Sequence, residues 1–189
     1  MRGKILNVEK ATTKKMLDSE VPQTIVGSLG AGFGDSFNIE DCRYDKIIIF
    51  TDADADGYHI KSLLLTFFYR YMPDLIRKGY VYSAIPPLYR IIKSDNSSVY
   101  LADDAALRDY RQKHQNEKYT LNRFKGLGEM NPEQLREAAM DPKTRTLKRI
   151  TIDDAEAAEE ALNILMGSEV DKRREFIDAN AFSVDLTSI

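Results

Sequence analysis

The stretch KIIIFTDADADGYHIKSLLL, residues 46–65, decides the fold because it joins an apolar run, three aspartates and a helical pattern. The run DKIIIFT, residues 45–51, is continuous and rich in β-branched side chains, so it predicts a strand buried on both faces of a parallel sheet. Beyond the aspartates, apolar residues recur at helical spacing and predict a helix over residues 58–77 with one apolar face. We predict that Pro73 kinks or interrupts this helix, because proline lacks the backbone donor that a helix interior needs.

A second strand is predicted downstream, in GYVYSAIPPLYRII at residues 79–92, where Pro86 and Pro87 break the pattern. Strand, helix and strand in this order form a βαβ unit, whose two strands run parallel in one sheet. The sequence therefore predicts the α/β class, with a parallel sheet flanked by helices.

The rest of the chain reads as a smaller and mostly helical segment. Its predicted elements are a polar turn (93–98), a surface helix (101–117), a short strand (120–124), a strand followed by an acidic helix that ends at Gly167, and a last helix (170–179). Between them, Asn131 and Pro132 suit the N-cap and the first position of a further helix.

Composition and charge describe an ordinary globular chain. Its 189 residues are 43% hydrophobic and 30% charged, which predicts one domain with or without a small appendage. There is no run of about 18 apolar residues, and the charged N-terminus is unlike a secretory signal, so no membrane association is expected. The single cysteine, Cys42, suits a reducing cytoplasm. A net charge of −3 argues against a surface that coats nucleic acid throughout, but it is compatible with a local basic patch.

The pattern D-x-D-x-D-G resembles the start of an EF-hand calcium loop, but the rest of that loop is missing. An EF-hand needs a bidentate glutamate at its twelfth position. Counted from Asp52, the twelfth residue is Leu63, which belongs to the apolar helix face. A predicted strand also precedes the aspartates where an EF-hand has a helix. These two differences argue against calcium.

Two interpretations of the aspartates remain. Asp56 suits the cap of the following helix, so an aspartate-rich turn would explain part of the pattern. Alternatively, Asp52 and Asp54 project to the same side of an extended backbone, at the strand end where α/β sheets place ligand sites. Oxygen ligands favour Mg²⁺, with Mn²⁺ as an alternative, and such ions commonly handle phosphate groups. His59 and Lys61 follow on the first helical turn, either as anion contacts or as ordinary surface residues.

Two glycine-rich loops are candidates for ligand contacts. The loop LGAGFGD, residues 29–35, has Asp35 where a dinucleotide fingerprint needs its third glycine, so we read it as a simple loop. The loop RFKGLGEMN, residues 123–131, combines two glycines with Arg123 and Lys125. That combination suits either an anion contact or a turn with solvated charges.

Together these segments resemble the B subunit of bacterial type IIA DNA topoisomerases, meaning gyrase or topoisomerase IV. The matching segments, in the order of the family, are RGKILNVEKA (2–11), TDADADGYHIKSLLLTFFYRYMPDLI (51–76), IPPLYRI (85–91) and RFKGLGEMNPEQLREAAMDPKTRTL (123–147). Weaker similarity continues to about residue 181, so the resemblance covers nearly the whole chain.

The resemblance implies a TOPRIM domain at residues 1–100 and a C-terminal tail segment, including KGLGEM, at residues 101–189. It implies that Asp52, Asp54 and, less firmly, Asp56 bind Mg²⁺ for the cleavage and religation of double-stranded DNA. It also implies DNA contacts by four residues: Lys4, Asn7, His59 and Lys125.

The chain also departs from the family pattern. A TOPRIM domain opens with an EGDSA-like strand whose glutamate completes the metal site, and nothing in this sequence matches that strand. We therefore expect a TOPRIM domain truncated at its N-terminus, a fragment or split subunit that is inactive alone. The nucleophilic tyrosine belongs to the A subunit in this family. No catalytic residue beyond the metal ligands is thus expected in this chain, and ATP acts only through an N-terminal domain that the sequence lacks.

The family implies an A₂B₂ heterotetramer with the topoisomerase A subunit, double-stranded DNA as the substrate, and a cytoplasmic, nucleoid-associated location. One alternative is a non-catalytic assembly module that binds the A subunit and DNA. Another is a different TOPRIM protein, such as a primase or nuclease, against which KGLGEM and the tail argue. Gyrase and topoisomerase IV are not separated, because IPPLYRI and NPEQLRE resemble topoisomerase IV while NVEKA resembles gyrase.

Overall fold

A computed structural model describes residues 3–52, 54–124, 126–153 and 155–181. The chain forms two compact units, each made of segments that are not contiguous in sequence. Unit 1 comprises Met1–Ile49, Ala55–Tyr82 and Arg149–Ile189, and unit 2 comprises Phe50–Asp54 and Ser83–Lys148. Helices and small sheets are mixed along the chain, which confirms the predicted α/β class. The division into residues 1–100 and 101–189 stays a prediction.

The described helices and strands follow the predicted order. The helices are α1 (Thr13–Leu17), α2 (Glu20–Leu29), α3 (Ala55–Tyr71), α4 (Pro73–Arg77), α5 (Asp104–Lys113), α6 (Pro132–Leu135), α7 (Ala155–Met166) and α8 (Val170–Asn180). The strands are β1 (Ile47–Ile49), β2 (Val81–Ala84), β3 (Tyr89–Lys93), β4 (Ser98–Leu101), β5 (Tyr119–Arg123) and β6 (Leu147–Arg149). Within this described part of the chain, no helix is both long and apolar enough to cross a membrane.

Helix α3 begins within the aspartate motif and contributes Leu63, Leu64, Phe67 and Phe68 to the core of unit 1. It begins at Ala55, three residues before the predicted start, and its apolar face includes the fully buried Phe67. The predicted interruption at Pro73 is confirmed: Met72 leaves the helical region, with φ −146° and ψ 51°, and Pro73 opens α4. Proline is favoured at this first helical position because its missing N–H has no helical partner there.

The strands form two three-stranded sheets. One has the order β1-β2-β6, and in it the Ile47 N–H donates to the Tyr80 carbonyl over 2.8 Å. The other has the order β4-β3-β5 and is antiparallel throughout, with Tyr89 opposite Arg123 and Lys93 opposite Tyr119. The predicted break between the strands at Pro86 and Pro87 is confirmed. The antiparallel pairing and strand β4 were not predicted.

Unit 2 packs α5 and α6 against its antiparallel sheet. Tyr89, Ile91, Leu107 and Tyr110 form the core between α5 and the sheet. Asn131 caps α6 as predicted, because its side chain accepts from the Gln134 N–H while the Gln134 side chain accepts from the Asn131 N–H. A π-helical turn, residues 136–140, extends α6.

Candidate metal and DNA site

Asp52 is held by the loop that carries the KGLGEM sequence, within unit 2. Its Oδ1 accepts a hydrogen bond from the Leu127 backbone N–H over 2.7 Å, although the two residues lie 75 positions apart. A carboxylate that accepts a backbone N–H is fixed in orientation, because the donor belongs to the main chain and does not rotate away. The aspartate motif and the KGLGEM motif, which are far apart in the sequence, therefore meet at one point.

Gly126 makes this approach of the loop to Asp52 feasible. Its backbone is extended, at φ −166°, so the glycine is not needed for backbone conformation. A Cβ atom at position 126 would instead stand 3.2 Å from Asp52 Oδ1, which is tighter than ordinary van der Waals contact. Glycine is thus suited to this position because it leaves room for the carboxylate.

A small cavity of about 10 Å³ adjoins the Asp52 carboxylate, roughly the room that one water molecule requires. Its lining residues are Asp52, Pro86, Pro87, Leu88, Phe124, Gly126, Leu127 and Met130. Most of this lining is apolar, and it includes the two prolines that break the second predicted strand.

The other two aspartates of the motif are more exposed than Asp52. Asp54, in unit 2, is exposed. Asp56 lies in the first turn of α3, in unit 1, and its Oδ1 is 2.9 Å from Lys4 Nζ. Both partners are open to solvent, with 51% of the Lys4 side chain and 76% of the Asp56 side chain exposed. The hydrogen bond from Lys4, and then its positive charge, hold the pKa of Asp56 below the ordinary value.

The residues of unit 2 fit a hard cation in donor type. Asp52 and Asp54 offer only carboxylate oxygens, the ligands that Mg²⁺ and Mn²⁺ prefer. In the described part of the chain, no group of three or more His, Cys, Asp or Glu residues converges as a complete site. Mg²⁺ requires near-octahedral coordination and usually keeps several waters, so two protein carboxylates are a partial site. The assignment of Asp52, Asp54 and Asp56 as ligands stays a prediction.

The four predicted DNA contacts have different surroundings. Lys4 is paired with Asp56, and His59 is exposed near the start of α3. Asn7 has both amide atoms engaged within unit 1: its Nδ2 donates to the Met166 carbonyl over 2.8 Å, and its Oδ1 accepts from the Glu9 N–H over 3.0 Å. Lys125 lies outside the described residues. Whether any of the four contacts DNA stays a prediction.

A cluster around Arg70 was missed by sequence analysis. The Arg70 guanidinium pairs with Glu9, and its Nη1 lies 2.7 and 2.6 Å from the two carboxylate oxygens of Glu159. The hydrogen bond to Glu9, followed by that to Glu159, raises the pKa of Arg70 above its ordinary value. This cluster connects the N-terminal segment, α3 and α7. In the sequence, each of these residues looks like an ordinary charged residue of the surface. No sequence pattern therefore predicts that they form a cluster.

Comparison with protein families defines the class to which these motifs belong. The Toprim domain model matches residues 1–84, and the model for the carboxyl terminus of the DNA gyrase B subunit matches residues 116–178. The chain thus combines a Toprim domain with the carboxyl-terminal region of DNA gyrase B. The Toprim domain of type II topoisomerases is metal-binding in general, in agreement with the donor type of Asp52 and Asp54.

The most similar relatives include B subunits of the same class of enzyme. The chain is 50% identical over 184 residues to the DNA gyrase B subunit of Thermotoga maritima, a match to 97% of this chain and 29% of that protein. It is 52% identical over 181 residues to the DNA topoisomerase 4 B subunit of Enterococcus faecalis, covering 94% and 26% of the two chains. The topoisomerase 4 B subunit of Streptococcus pneumoniae is 48% identical over 193 residues, covering 100% and 30%. The chain therefore belongs to the family of bacterial type IIA topoisomerase B subunits, and it spans less than a third of the length of these relatives.

Proposed function

We propose that this chain is the metal-binding and DNA-contacting part of a type IIA topoisomerase B subunit, which cleaves and religates double-stranded DNA together with an A subunit. The observation that carries the proposal is the hydrogen bond from the Leu127 N–H to Asp52. It joins the aspartate motif to the KGLGEM loop in a chain whose relatives are B subunits of DNA gyrase and topoisomerase 4.

Asp52 and Asp54 would hold the cation, with Mg²⁺ as the expected ion and Mn²⁺ as an alternative. Bound there, the ion would stabilise the charge that develops on a phosphodiester during cleavage. The contribution of the chain itself is orientation. The Leu127 N–H fixes the Asp52 carboxylate, and Gly126 leaves the space that this position needs.

The cationic side chains would hold the DNA backbone. Lys4 and His59 are exposed in unit 1, and Lys125 belongs to the KGLGEM sequence. Contacts of this kind are to phosphate groups, so binding would tolerate different sequences and weaken as salt rises. The tyrosine nucleophile would come from the A subunit, and none of the ten tyrosines of this chain takes that role.

The proposal extends to the assembled enzyme. We expect an A₂B₂ heterotetramer that acts in the cytoplasm on nucleoid DNA. A glutamate from another segment would complete the metal site, and ATP would act through a domain outside this sequence.

A second candidate function is a non-catalytic assembly module that binds the A subunit and DNA. It is favoured by the contacts that two of the three aspartates make within the protein, Asp52 with the Leu127 N–H and Asp56 with Lys4. In this function the aspartates would be structural, and Asp52 would serve only to hold the KGLGEM loop.

One experiment separates the two functions. The complete B subunit is mixed with the A subunit, and DNA cleavage is measured with Mg²⁺ and with a chelator, for the wild type and for the double variant Asp52→Ala/Asp54→Ala. The proposed function predicts Mg²⁺-dependent cleavage that the double variant loses while much of its DNA binding remains. Equal cleavage by the wild type and the variant would support the assembly module. The isolated chain is expected to relax no supercoils.

A further inference from the structure

An open pocket of about 490 Å³ lies at one end of the antiparallel sheet in unit 2. Its lining residues are Arg111, His114, Gln115, Glu117, Lys118 and Tyr119. Arg111 comes from the last turn of α5, and Tyr119 is the first residue of β5. The others belong to the turn between these elements. None of these residues belongs to the motifs that support the proposed function.

Glu117 is the only acidic residue in this lining, and its carboxylate is already paired with neighbouring side chains. The Glu117 carboxylate accepts from the Tyr110 hydroxyl over 2.9 Å, and it lies 2.9 Å from His114 Nδ1 and 3.4 Å from Lys93 Nζ. The hydrogen bond from Tyr110, assisted by Lys93, holds the pKa of Glu117 below its ordinary value, so it is ionised at neutral pH. Lys93 then balances this one negative charge.

Two cations of the pocket remain unbalanced. Arg111 and Lys118 are exposed, and neither forms an ion pair with any described residue. With Lys93 set against Glu117, Arg111 and Lys118 give the pocket a charge of about +2, with His114 not counted. The molecule as a whole has a net charge of −3, so this is a local positive site on an acidic protein.

Two aromatic side chains that line the pocket, His114 and Tyr119, pack on the buried ring of Tyr110 behind them. The Tyr110 ring stacks on His114, with centroids 4.2 Å apart and an interplanar angle of 18°. Tyr110 also meets Tyr119 edge to face, at 5.6 Å and 87°. Tyr110 itself is buried, so these rings have little freedom to move. A site whose side chains are already ordered loses less entropy when a ligand binds.

The sheet register sets the distance from this pocket to the Asp52 end of unit 2. Tyr89 and Arg123 pair at the end where the Phe124 N–H donates to Leu88, beside the cavity of Asp52. Lys93 and Tyr119 pair at the opposite end. Four strand steps separate the two ends, which is about 14 Å. Along B-DNA this corresponds to about four base pairs, since each strand has one phosphate per 3.4 Å of axis, roughly.

We propose that Arg111 and Lys118, backed by the stacked rings of Tyr110 and His114, form a phosphate-binding subsite in unit 2. Two cations in one pocket suit a phosphate diester or monoester, and the rings of His114 and Tyr119 in the same lining suit the attached sugar or base. DNA backbone is the source favoured by a position about 14 Å from the Asp52 end, which is within a few phosphate spacings, and a free nucleotide offers the same group. The subsite rests on the proposed function only for the choice of DNA as that source.

The test compares two double variants with the same change in charge. Arg111→Gln/Lys118→Gln removes both pocket cations, and Arg108→Gln/Lys113→Gln removes two exposed cations of α5 outside the pocket. Binding of the full chain to a labelled duplex is measured by fluorescence anisotropy over a range of salt. The pocket variant should bind about tenfold more weakly and lower the slope of log K against log salt by about two. The control should change far less.

Further measurements identify the molecule that carries the phosphate, and a control tests whether the substitutions disturb the fold. Inorganic phosphate and adenosine monophosphate are titrated while the His114 and Tyr119 ring resonances are followed by NMR. A saturable shift that the pocket variant loses, with equal duplex binding by both variants, would keep the subsite and make a free nucleotide its ligand. The charge-conserving variant Arg111→Lys/Lys118→Arg should keep the wild-type salt slope, and native-like NMR resonances outside the pocket in Arg111→Gln/Lys118→Gln exclude unfolding as the cause.

Equal duplex binding by both variants, with no saturable shift from phosphate or nucleotide, would overturn the subsite. The proposed function fails in a different way, when the complete B chain mixed with its A subunit shows no Mg²⁺-dependent cleavage.

Discussion

Asp52 and Asp56 belong to one motif of six residues, 52–57, yet their carboxylates are held in different ways. Asp52 accepts a backbone N–H from a loop 75 residues away and lies beside an apolar cavity in unit 2. Asp56 pairs with Lys4 in unit 1, and both side chains are largely exposed. The first arrangement fixes a carboxylate through the main chain. The second relies on a flexible side chain in water, where an ion pair contributes little.

This difference indicates which of the two aspartates is better positioned to bind a metal ion. A metal ligand has to be in place before the ion arrives, because reorienting it costs affinity. Asp52 meets that condition through Leu127, whereas Asp56 would first have to leave Lys4. We therefore rank Asp52 above Asp56 as a ligand, and the following predictions try to break that ranking.

The largest effect is expected from Asp52. Asp52→Asn keeps an acceptor for the Leu127 N–H but removes the charge, and Asp52→Ala removes both. Each variant should lower DNA cleavage by the complete enzyme by about a hundredfold or more, because the charge is what a cation needs. Only the alanine variant should also lose stability, by about 1 kcal/mol, since it leaves the N–H without a partner. Cleavage and chemical denaturation measure the two effects; cleavage retained by Asp52→Asn would contradict the ligand role.

The ion pair of Arg70 with Glu9 offers a second comparison in unit 1, between a partly buried ion pair and an exposed one. Unlike Lys4 and Asp56, Glu9 has only 10% of its side chain exposed. Arg70→Ala leaves that carboxylate unpaired and should lower the free energy of unfolding by about 2 kcal/mol. Arg77→Ala, which removes an exposed pair with Asp74, should lower it by less than about 0.5 kcal/mol. Similar losses in urea denaturation would show that burial does not separate these pairs.

The Arg70 cluster also predicts the direction of a pH effect. The hydrogen bond from Arg70 lowers the pKa of Glu159 below its ordinary value of 4.5. A lowered folded-state pKa stabilises the fold above the unfolded pKa, and this stabilisation is lost as pH falls through the folded value. Stability, measured by urea denaturation at several pH values, should therefore decline below about pH 4.5, and less steeply in Glu159→Gln. An equal decline in that variant would contradict the role of Glu159.

A smaller effect is expected from the glycine beside Asp52. Gly126→Ala places a Cβ 3.2 Å from Asp52 Oδ1, so the loop or the carboxylate has to shift by a few tenths of an ångström. We expect about a tenfold loss of cleavage, because catalysis is sensitive to small displacements of a ligand. Gly128→Ala is the matched control, since a Cβ at position 128 would meet nothing within 4 Å. Equal losses in the two variants would mean that the contact with Asp52 has no bearing on catalysis.

The smallest effect is expected from Asp56. Asp56→Asn removes the exposed pair with Lys4 and should change cleavage by about threefold or less, with little change in stability. It also frees Lys4 for a phosphate group, so DNA binding should become slightly tighter at low salt. Titration of DNA binding at several salt concentrations measures this. A loss of cleavage equal to that of Asp52→Asn would reverse the ranking of the two aspartates.

Features that depend on neighbouring residues could be predicted from the sequence. Pro73 interrupts its helix and Asn131 caps the next one, because proline chemistry and side-chain capping act within a few positions. The aspartates were likewise located after a strand and before a helix. These local rules predicted the α/β class and the position of the candidate site.

The contacts that the sequence could not supply are long-range. The hydrogen bond from Asn7 to Met166 spans 159 residues, and the pair of Arg70 and Glu9 spans 61. Residues such as these are ordinary in isolation, so only the fold reveals them as partners. The pairing of β3 with β4 and β5 was missed for the same reason, since strand partners are not encoded by alternation within one strand.

The most direct test follows the Leu127 amide resonance by NMR while Mg²⁺ is added to the chain. This amide donates its hydrogen bond to Asp52, so an ion bound by that carboxylate has to change its environment. We predict a saturable shift in the wild type and in Asp56→Asn, and no such shift in Asp52→Asn. A shift that persists in Asp52→Asn, or that disappears in Asp56→Asn, would contradict the account.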